Sequence, residues 1–260
     1  MSREKRDQAL YDDFAEQHIR KDLLPASAIA RCSQLFSALG PELSQQPNLG
    51  TVVEVGCGVG APARYLAGRY ERYIGLDHSA QMVRAARVFN DGNERAMFVT
   101  ANARQTPLSA HTADLILSIG ALHHMSDLDA VMQHLCTIAK PGAIFVAREP
   151  QCANPLIQGM RWLRTRMEAS YSEEQIFFTE SELVDICQRN GLKVIAVEYQ
   201  GFLTPPFAQV VMHPQAVTAP MSRIADRLDT WLHHHLWPPL KRLSFNLAVR
   251  ATFPTGGMHG

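Results

Sequence analysis

Three glycines occupy alternate positions directly after a short apolar segment of the sequence. Gly56, Gly58 and Gly60 follow residues 51–55, which read Thr-Val-Val-Glu-Val. Because glycine has no side chain, such a turn can bend tightly and let its backbone approach a ligand closely. The spacing Gly56-x-Gly58-x-x-Ala61 also satisfies the fingerprint of dinucleotide-binding turns. The turn therefore predicts a nucleoside-containing ligand and leaves a nicotinamide-dependent oxidoreductase as one interpretation.

Two acidic residues accompany this turn. Glu54 lies two residues before Gly56, where an acid would repel a pyrophosphate and attract a cationic ligand. Asp77 follows Gly56 by 21 residues, at the end of the next predicted strand, where a carboxylate can accept hydrogen bonds from both hydroxyls of a ribose. The acids therefore favour a ligand that combines a ribose with a positive charge.

Polar residues also follow the third and fourth predicted strands. Asn102 and Ala103 come after residues 96–100, and Ser118 lies near the end of residues 114–119, shortly before His123 and His124. Histidine titrates near neutral pH, so an imidazole here could deprotonate a hydroxyl or a ring carbon. We predict that His123 is a substrate-side residue. The alternative is that it only packs and hydrogen-bonds near the cofactor.

Taken together, these motifs resemble those of the class I S-adenosylmethionine-dependent methyltransferases. The similarity is greatest to the small-molecule branch, which includes quinone, sterol and natural-product methyltransferases, and it runs from about residue 11 to residue 199. The motifs that carry it are Glu-Val-Gly-Cys-Gly-Val-Gly at 54–60, Gly-Leu-Asp-His-Ser at 75–79, Asn-Ala at 102–103, Ser-Ile-Gly-Ala-Leu-His-His at 118–124 and Lys-Pro-Gly at 140–142. The family more often has Asp where this chain has Asn102, which predicts an altered affinity for the cofactor.

The resemblance implies a role for each matching residue. The cofactor, S-adenosylmethionine with S-adenosylhomocysteine as its product, would contact Tyr11, Glu54, Gly56, Cys57, Gly58, Gly60, Asp77, His78, Met82, Asn102, Ala103, Ser118 and His123. Catalytic candidates are His18, His123 and His124, and Tyr11, Phe14 and His18 resemble an N-terminal lid over the cofactor. Substrate-binding candidates are Phe14, Trp162, Phe207 and Trp231, and no metal site is expected.

The elements that must position these residues alternate regularly between strands and helices. Hydrophobic patterns predict strands at 51–55, 73–76, 96–100, 114–119, 143–147, 192–199 and 243–252, and helices at 3–39, 62–69, 80–89, 128–138 and 180–190. Gly40-Pro41 is expected to end the first helix, and 140–142 to form a turn. Such alternation indicates a doubly wound, mostly parallel seven-stranded α/β sheet, here Rossmann-like, with an antiparallel last strand and helical lid insertions.

We divide the chain accordingly. Residues 1–50 form an N-terminal helical lid and linker, and 51–200 form the α/β core. Residues 148–178 and 201–242 are insertions that we expect to cover the substrate, since long loops at this edge of such sheets form binding walls. Ordinary packing or a dimer contact is the alternative for the insertions. Residues 243–253 complete the core, and 254–260 form a flexible tail.

Composition excludes several classes of protein. The 260 residues are 46% hydrophobic, which excludes wholesale disorder, and their formal net charge is zero, which argues against nucleic acid as a partner. No apolar run is long enough to cross a bilayer, no secretory signal is recognisable, and the five cysteines form no Cys-x-x-Cys pair. We expect a cytoplasmic monomer or homodimer, with weak membrane-surface contact through residues 221–243 as a further option.

The sequence thus predicts a methyltransferase that acts on an oxygen or carbon of a small, lipophilic or aromatic molecule, with a role in secondary metabolism. One alternative is a non-catalytic subunit or sensor that binds S-adenosylmethionine or S-adenosylhomocysteine. The oxidoreductase is less favoured, because the chain has no Tyr-x-x-x-Lys pair to relay a proton.

Overall fold

A single seven-stranded sheet organises the chain. The computed structural model describes residues 20–152, 154 and 177–255. The strands are β1 (Thr51–Val55), β2 (Arg72–Asp77), β3 (Ala96–Thr100), β4 (Ala113–Ile119), β5 (Ala139–Pro150), β6 (Lys193–Gln200) and β7 (Asn246–Thr252). Their spatial order is β3-β2-β1-β4-β5-β7-β6, and β7 runs antiparallel to both of its neighbours. The predicted doubly wound, mostly parallel sheet with an antiparallel last strand is confirmed.

Helices cover both faces of this sheet. They are α1 (Pro25–Gln45), α2 (Ala61–Tyr65), α3 (Ala80–Phe89), α4 (Leu128–Ile138), α5 (Glu180–Arg189), α6 (Pro205–Gln209) and α7 (Gln215–His235), with short 3-10 helices at Leu122–His124 and Pro238–Leu243. Apolar side chains of α4 and α5 pack on one face, whereas those of α1, α2 and α3 pack on the other. The sheet is therefore buried between two helical layers, which explains why its strands read as continuous apolar runs.

Four predicted boundaries were wrong. Gly40 does not end α1 but kinks it: its φ is +72°, and the Arg250 guanidinium occupies the space that a Cβ would need. The helix predicted at 62–69 ends at Tyr65, shortly before Gly68 takes up a left-handed conformation. Residues 140–142 are a bulge within β5 where its pairing with β4 shifts, and β7 begins at Asn246, after the 3-10 helix.

Helix α7 lies on α1 and contains half of the predicted insertion at 201–242. Ser222 Oγ donates to the carbonyl oxygen of Ala26 at 2.8 Å, and Asp226 accepts a hydrogen bond from Ser33. Most of the predicted insertion at 148–178, namely residue 153 and residues 155–176 with Trp162, lies outside the described residues, as do the lid residues Tyr11, Phe14 and His18. Within the part of the chain that the structure describes, no helix has both the length and the apolar character required to cross a bilayer.

Candidate functional site

The Gly-rich turn joins β1 to α2 and is held by the neighbouring strand. The backbone N–H groups of Gly56 and Cys57 both donate to the carbonyl oxygen of Leu76, at 2.7 and 3.0 Å. A Cβ on Gly56 would lie 2.3 Å from the Cβ of Ala121, so this glycine is required for packing. Among the residues that the structure describes, a Cβ on Gly58 would meet no atom within 4 Å. The backbone at Gly58 is therefore the part of the turn that a ligand can approach.

Asp77 ends β2 and ties that strand to the turn. Its Oδ2 accepts the N–H of Gly58 at 2.8 Å, its Oδ1 accepts the N–H of Ser79 at 2.9 Å, and only 8% of the residue is exposed. Burial raises the pKa of the Asp77 carboxyl, against the lowering effect of these hydrogen bonds. A carboxylate offers about four acceptor sites. The N–H of Gly58 in the turn and the N–H of Ser79 at the start of α3 use two of them, and the backbone of His78 also hydrogen-bonds to this carboxylate. The remaining acceptor capacity is available to a ribose hydroxyl.

Glu54 lies beneath the turn. The residue is 1% exposed, and its Oε2 accepts a hydrogen bond of 2.5 Å from the hydroxyl of Tyr73 on β2. The pKa of Glu54 is raised to about 8, chiefly by burial; the Tyr73 hydrogen bond acts to lower it, and the charge of Asp77 acts to raise it. The free protein thus holds a largely protonated acid here near neutral pH. A cation bound above it would favour the ionised form.

The residues predicted to surround an adenine follow β2 and β3. His78 Nδ1 is 3.7 Å from Asp77 Oδ1, and Met82 is buried in the first turn of α3. Because Asp77 pairs with Thr100 in the sheet, Asn102 lies two residues beyond that pairing, with Ala103 next to it. The exposed Asn102 side chain accepts the N–H of Arg104 at 2.9 Å through Oδ1. All four residues therefore lie past the carboxyl ends of adjacent strands.

A histidine–carboxylate pair stands beside the turn, and its acid was missed by the sequence analysis. Glu149 near the end of β5 is fully buried, and its Oε2 lies 2.7 Å from Nδ1 of His123. Its Oε1 accepts the N–H groups of Ala121 and Leu122, at 3.0 and 2.9 Å. A carboxylate at Nδ1 favours the tautomer with its proton there, which leaves Nε2 as the basic ring nitrogen. The only available signal was an acid directly after the apolar run of β5.

The structure also shows where the predicted residues His124, Ser118 and Cys57 lie. The His124 ring lies 3.9 Å from that of His123, measured between centroids, and Phe177 stacks on His123 at 6.1 Å. Ser118 is fully buried on β4, and within the described chain its hydroxyl has no hydrogen-bond partner. Cys57 is buried inside the turn, where burial raises the pKa of its thiol well above the usual value. A thiol held in its neutral form is a packing residue there rather than a nucleophile.

The two described substrate-wall candidates lie on the insertion. Phe207 is half-buried in α6, whereas Trp231 is exposed on α7 and stacks on His235, with centroids 4.8 Å apart. Their contact with a substrate stays a prediction, as do the roles of Tyr11, Phe14, His18 and Trp162.

A second polar cluster, also missed from sequence, lies where β5 meets α1. Arg148 donates to Gln34 Oε1, and Gln34 in turn donates to Thr204 Oγ1 at 3.1 Å. Among the described residues, the buried Nε of Arg148 has no hydrogen-bond partner. Burial lowers the pKa of this guanidinium to about 10, and the nearby charge of Arg31 acts in the same direction. The cluster joins α1 to the strand that holds Glu149.

Known proteins resemble this chain in both sequence and fold. A family model described as a methyltransferase domain matches residues 11–197. Dimethylglycine N-methyltransferase of Parasynechococcus marenigrum is 32% identical over 161 residues, which cover 57% of this chain and 58% of that protein. Ubiquinone biosynthesis O-methyltransferase of Aeromonas salmonicida is 25% identical over 152 residues, 55% of this chain and 63% of that one. The chain spans about half the length of the curated relatives it matches.

Solved structures agree on the fold. An S-adenosylmethionine-dependent methyltransferase from Aquifex aeolicus superposes with a TM-score of 0.58 at 14% identity, covering 92% of this chain and 98% of that chain. Geranyl diphosphate C-methyltransferase from Streptomyces coelicolor, solved with S-adenosylhomocysteine, superposes with a TM-score of 0.56 at 16% identity, covering 86% of this chain and 77% of that chain.

The site fits the cofactor of this family. S-adenosylmethionine presents a ribose, which would suit the carboxylate of Asp77, and two positive charges, which would suit the buried acid Glu54. Its adenine would lie among the residues that follow β2 and β3, and the open backbone at Gly58 leaves room for the ligand. The family model covers well over half of the chain, and solved methyltransferases share its fold. The chain therefore belongs to the class I S-adenosylmethionine-dependent methyltransferases.

Proposed function

We propose that this protein transfers the methyl group of S-adenosylmethionine to an oxygen or carbon atom of a small, lipophilic or aromatic molecule. The observation that carries the proposal is the position of the His123–Glu149 pair. Ala121, whose side chain packs against Gly56, donates its N–H to Glu149, and His123 follows two residues later. A paired imidazole is thus built into the wall of the cofactor turn.

The cofactor residues act by binding and orientation. When bound, S-adenosylmethionine supplies a methyl group that its sulfonium charge already activates. Asp77 would hold the ribose, while Asn102 and Ala103 contact the edge of the adenine and His78 and Met82 flank it. Glu54 would stabilise the positive charges of the methionine portion. Such positioning, together with exclusion of water, supplies most of the acceleration in a direct displacement.

An acceptor that arrives protonated also needs a base, and the pair fits that role. His123 Nε2 would take the proton from a hydroxyl or an acidic carbon as the new bond to the methyl carbon forms. Glu149 would hold the ring in position and stabilise the imidazolium, as a buried carboxylate does in other histidine-based sites. An oriented base favours a catalyst over a sensor or scaffold, because binding alone does not require one.

The names of several relatives support a lipophilic acceptor. They include a sterol 24-C-methyltransferase of Pneumocystis carinii, a probable tocopherol O-methyltransferase of Oryza sativa and a 2-methyl-6-phytyl-1,4-hydroquinone methyltransferase of Synechocystis. The first is named as a carbon methyltransferase and the second as an oxygen methyltransferase. The dimethylglycine enzyme, a nitrogen methyltransferase, is the counterexample against which the proposal must be tested.

The test combines cofactor binding with a panel of acceptors. Calorimetry with S-adenosylhomocysteine and with NAD should show binding of the first only. Radiolabelled methyl transfer is then measured with prenylated hydroquinones, simple phenols and small amines. His123→Ala should lower kcat by about 10²-fold or more while cofactor affinity is kept. The matched control, His234→Ala, alters an exposed imidazole on α7 and should leave the rate unchanged. Transfer to amines alone, or full activity of His123→Ala, would contradict the proposal.

A further inference from the structure

The large apolar side chains of helix α7 face away from the protein, although a helix that packs on a core normally turns such side chains inward. Residues 217, 221, 224, 228 and 231 are Val, Met, Ile, Leu and Trp, at alternating spacings of four and three. All five are about half exposed. The opposite side, which lies on α1, is made of the small residues Thr218, Ala219, Ser222 and Ala225. We call the five exposed residues the outer stripe; it extends for about 21 Å along the helix.

The apolar surface continues beyond the helix. Trp237 is 67% exposed, and Leu240 and Leu243 in the following 3-10 helix are also exposed. Scattered apolar residues on a surface are ordinary, but a continuous row with two tryptophans marks an interaction site. Tryptophan in particular is favoured at the boundary between water and lipid, where its ring and its N–H find different surroundings.

Within residues 201–249, the exposed charged side chains near the outer stripe are positive. Arg223, Arg227 and Arg242 are exposed, and Lys241 is next to the last of them. The only acids between residues 201 and 249 are Asp226 and Asp229. Both carboxylates accept hydrogen bonds from other parts of the protein. Asp226 binds Ser33, and Asp229 accepts the N–H groups of residues 202, 203 and 204 at 3.1, 2.8 and 3.0 Å. The outward face of this segment is therefore apolar and cationic.

This charge pattern distinguishes between two partners for the outer stripe, a second copy of the chain and a negatively charged lipid surface. A second copy of the chain packed stripe to stripe would bring Arg223 and Arg227 of both copies together, with no acid of the same helix turned outward to offset them. Like charges at a helix pair are destabilising. A negatively charged lipid surface offsets every one of these charges and receives the apolar side chains between its headgroups.

We propose that the outer stripe, with Trp237, Leu240 and Leu243, docks the protein on a membrane surface that contains anionic lipids. α7 lies in the plane of that surface with its small residues still on α1. The inference does not depend on which acceptor is methylated. It gives the protein access to molecules that are dissolved in the membrane.

The test uses the two tryptophans as reporters. The chain has three tryptophans, and Trp162→Phe leaves only Trp231 and Trp237. Vesicles of phosphatidylcholine with phosphatidylglycerol should shift their emission to shorter wavelength and carry the protein in co-sedimentation. Pure phosphatidylcholine vesicles should bind at least roughly tenfold more weakly, and added salt should reduce binding to the anionic ones.

Variants locate the surface. Ile224→Asp with Leu228→Asp should abolish binding, and Arg223→Glu with Arg227→Glu should weaken it by roughly tenfold or more. The matched controls are Val88→Asp, an apolar residue 76% exposed on α3, and Arg84→Glu on the same helix; both should bind as the parent does. Circular dichroism and S-adenosylhomocysteine binding check that each variant is folded.

Three results would overturn the proposal. They are equal binding to neutral and anionic vesicles, no loss of binding in the outer-stripe variants, and a sedimentation experiment in which the protein is a dimer that Ile224→Asp with Leu228→Asp converts to a monomer. The salt titration of the parent protein needs no variant, so misfolding of a variant cannot leave the proposal undecided. Failure of methyl transfer would not affect any of these measurements.

Discussion

Replacing Glu54 by Gln should remove a pH dependence of the free energy of unfolding, which arises because the fold buries this carboxyl group. Glu54 has an ordinary pKa of 4.5 and a pKa of about 8 in the folded protein, where burial penalises its charge. The folded state therefore binds this proton more tightly than the unfolded state. Its contribution to stability is complete below pH 4.5 and declines as the pH rises to about 8. Since one pKa unit corresponds to about 1.4 kcal/mol, the loss is on the order of a few kcal/mol.

Glutamine keeps an oxygen for the Tyr73 hydrogen bond and cannot ionise. Urea unfolding at pH 5, 7 and 9 should show Glu54→Gln close to wild type at pH 5 and clearly more stable at pH 9. Glu94→Gln, at an exposed acid, is the control and should show no such trend. A difference between wild type and Glu54→Gln that is the same at pH 5 and pH 9 would refute the reasoning.

The same variant should bind the cofactor more weakly. A bound cation favours the ionised carboxylate, so S-adenosylmethionine should release a proton from Glu54 when it binds near pH 7. Calorimetry in two buffers of different ionisation enthalpy should detect that proton for wild type and not for Glu54→Gln. The affinity of the variant should be roughly tenfold lower, which corresponds to about 1.4 kcal/mol. Proton release that persists in Glu54→Gln would assign the proton to another group.

Three further substitutions probe the site. Asp77→Asn keeps one acceptor but places an amide opposite a backbone N–H, so calorimetry should show S-adenosylhomocysteine binding weakened by more than tenfold; unchanged binding would remove the ribose assignment. Glu149→Gln loses the short bond to His123 Nδ1 and should lower the free energy of unfolding by about 1–3 kcal/mol, and NMR of the His123 ring should show a mixture of tautomers. Gly56→Ala should destabilise the fold, because its Cβ would clash with Ala121, whereas Gly58→Ala should fold and lose cofactor binding. Equal stability of the two glycine variants in urea would contradict that distinction.

Local spacing explains which parts of the site were predictable from sequence. Glu54 and Asp77 lie at the carboxyl ends of β1 and β2, the glycines follow β1 directly, and a parallel sheet brings the carboxyl ends of its strands to one edge. Glu149 was missed because its partners are 26 to 28 residues away, and only the pairing of β4 with β5 brings them together. The kink at Gly40 depends on Arg250, more than 200 residues later in the chain.

Helix α7 shows a different limit of prediction from sequence. Leu228 and Trp231 recur at helical spacing, which predicts a helix but not which side faces the protein. The usual assumption places large apolar residues inward. Here the small residues Ser222 and Ala225 allow close approach to α1, and hydrogen bonds from Ser222 and to Asp226 fix that side. The helical spacing of the apolar residues therefore predicted a helix, but it did not predict which side of that helix faces the protein.

The carboxylate of Glu149 hydrogen-bonds both to the backbone of Ala121 and Leu122 and to the ring of His123, and this has an evolutionary consequence. It closes the turn whose Ala121 packs on Gly56, and it orients the ring of His123. On the proposed mechanism, a descendant that needed no base could replace the imidazole, but replacing the acid would also remove the acceptor of the Ala121 and Leu122 N–H groups beside the Gly-rich turn. Acceptor chemistry in this lineage should therefore diversify through the histidine positions while the glutamate persists as an inherited scaffold.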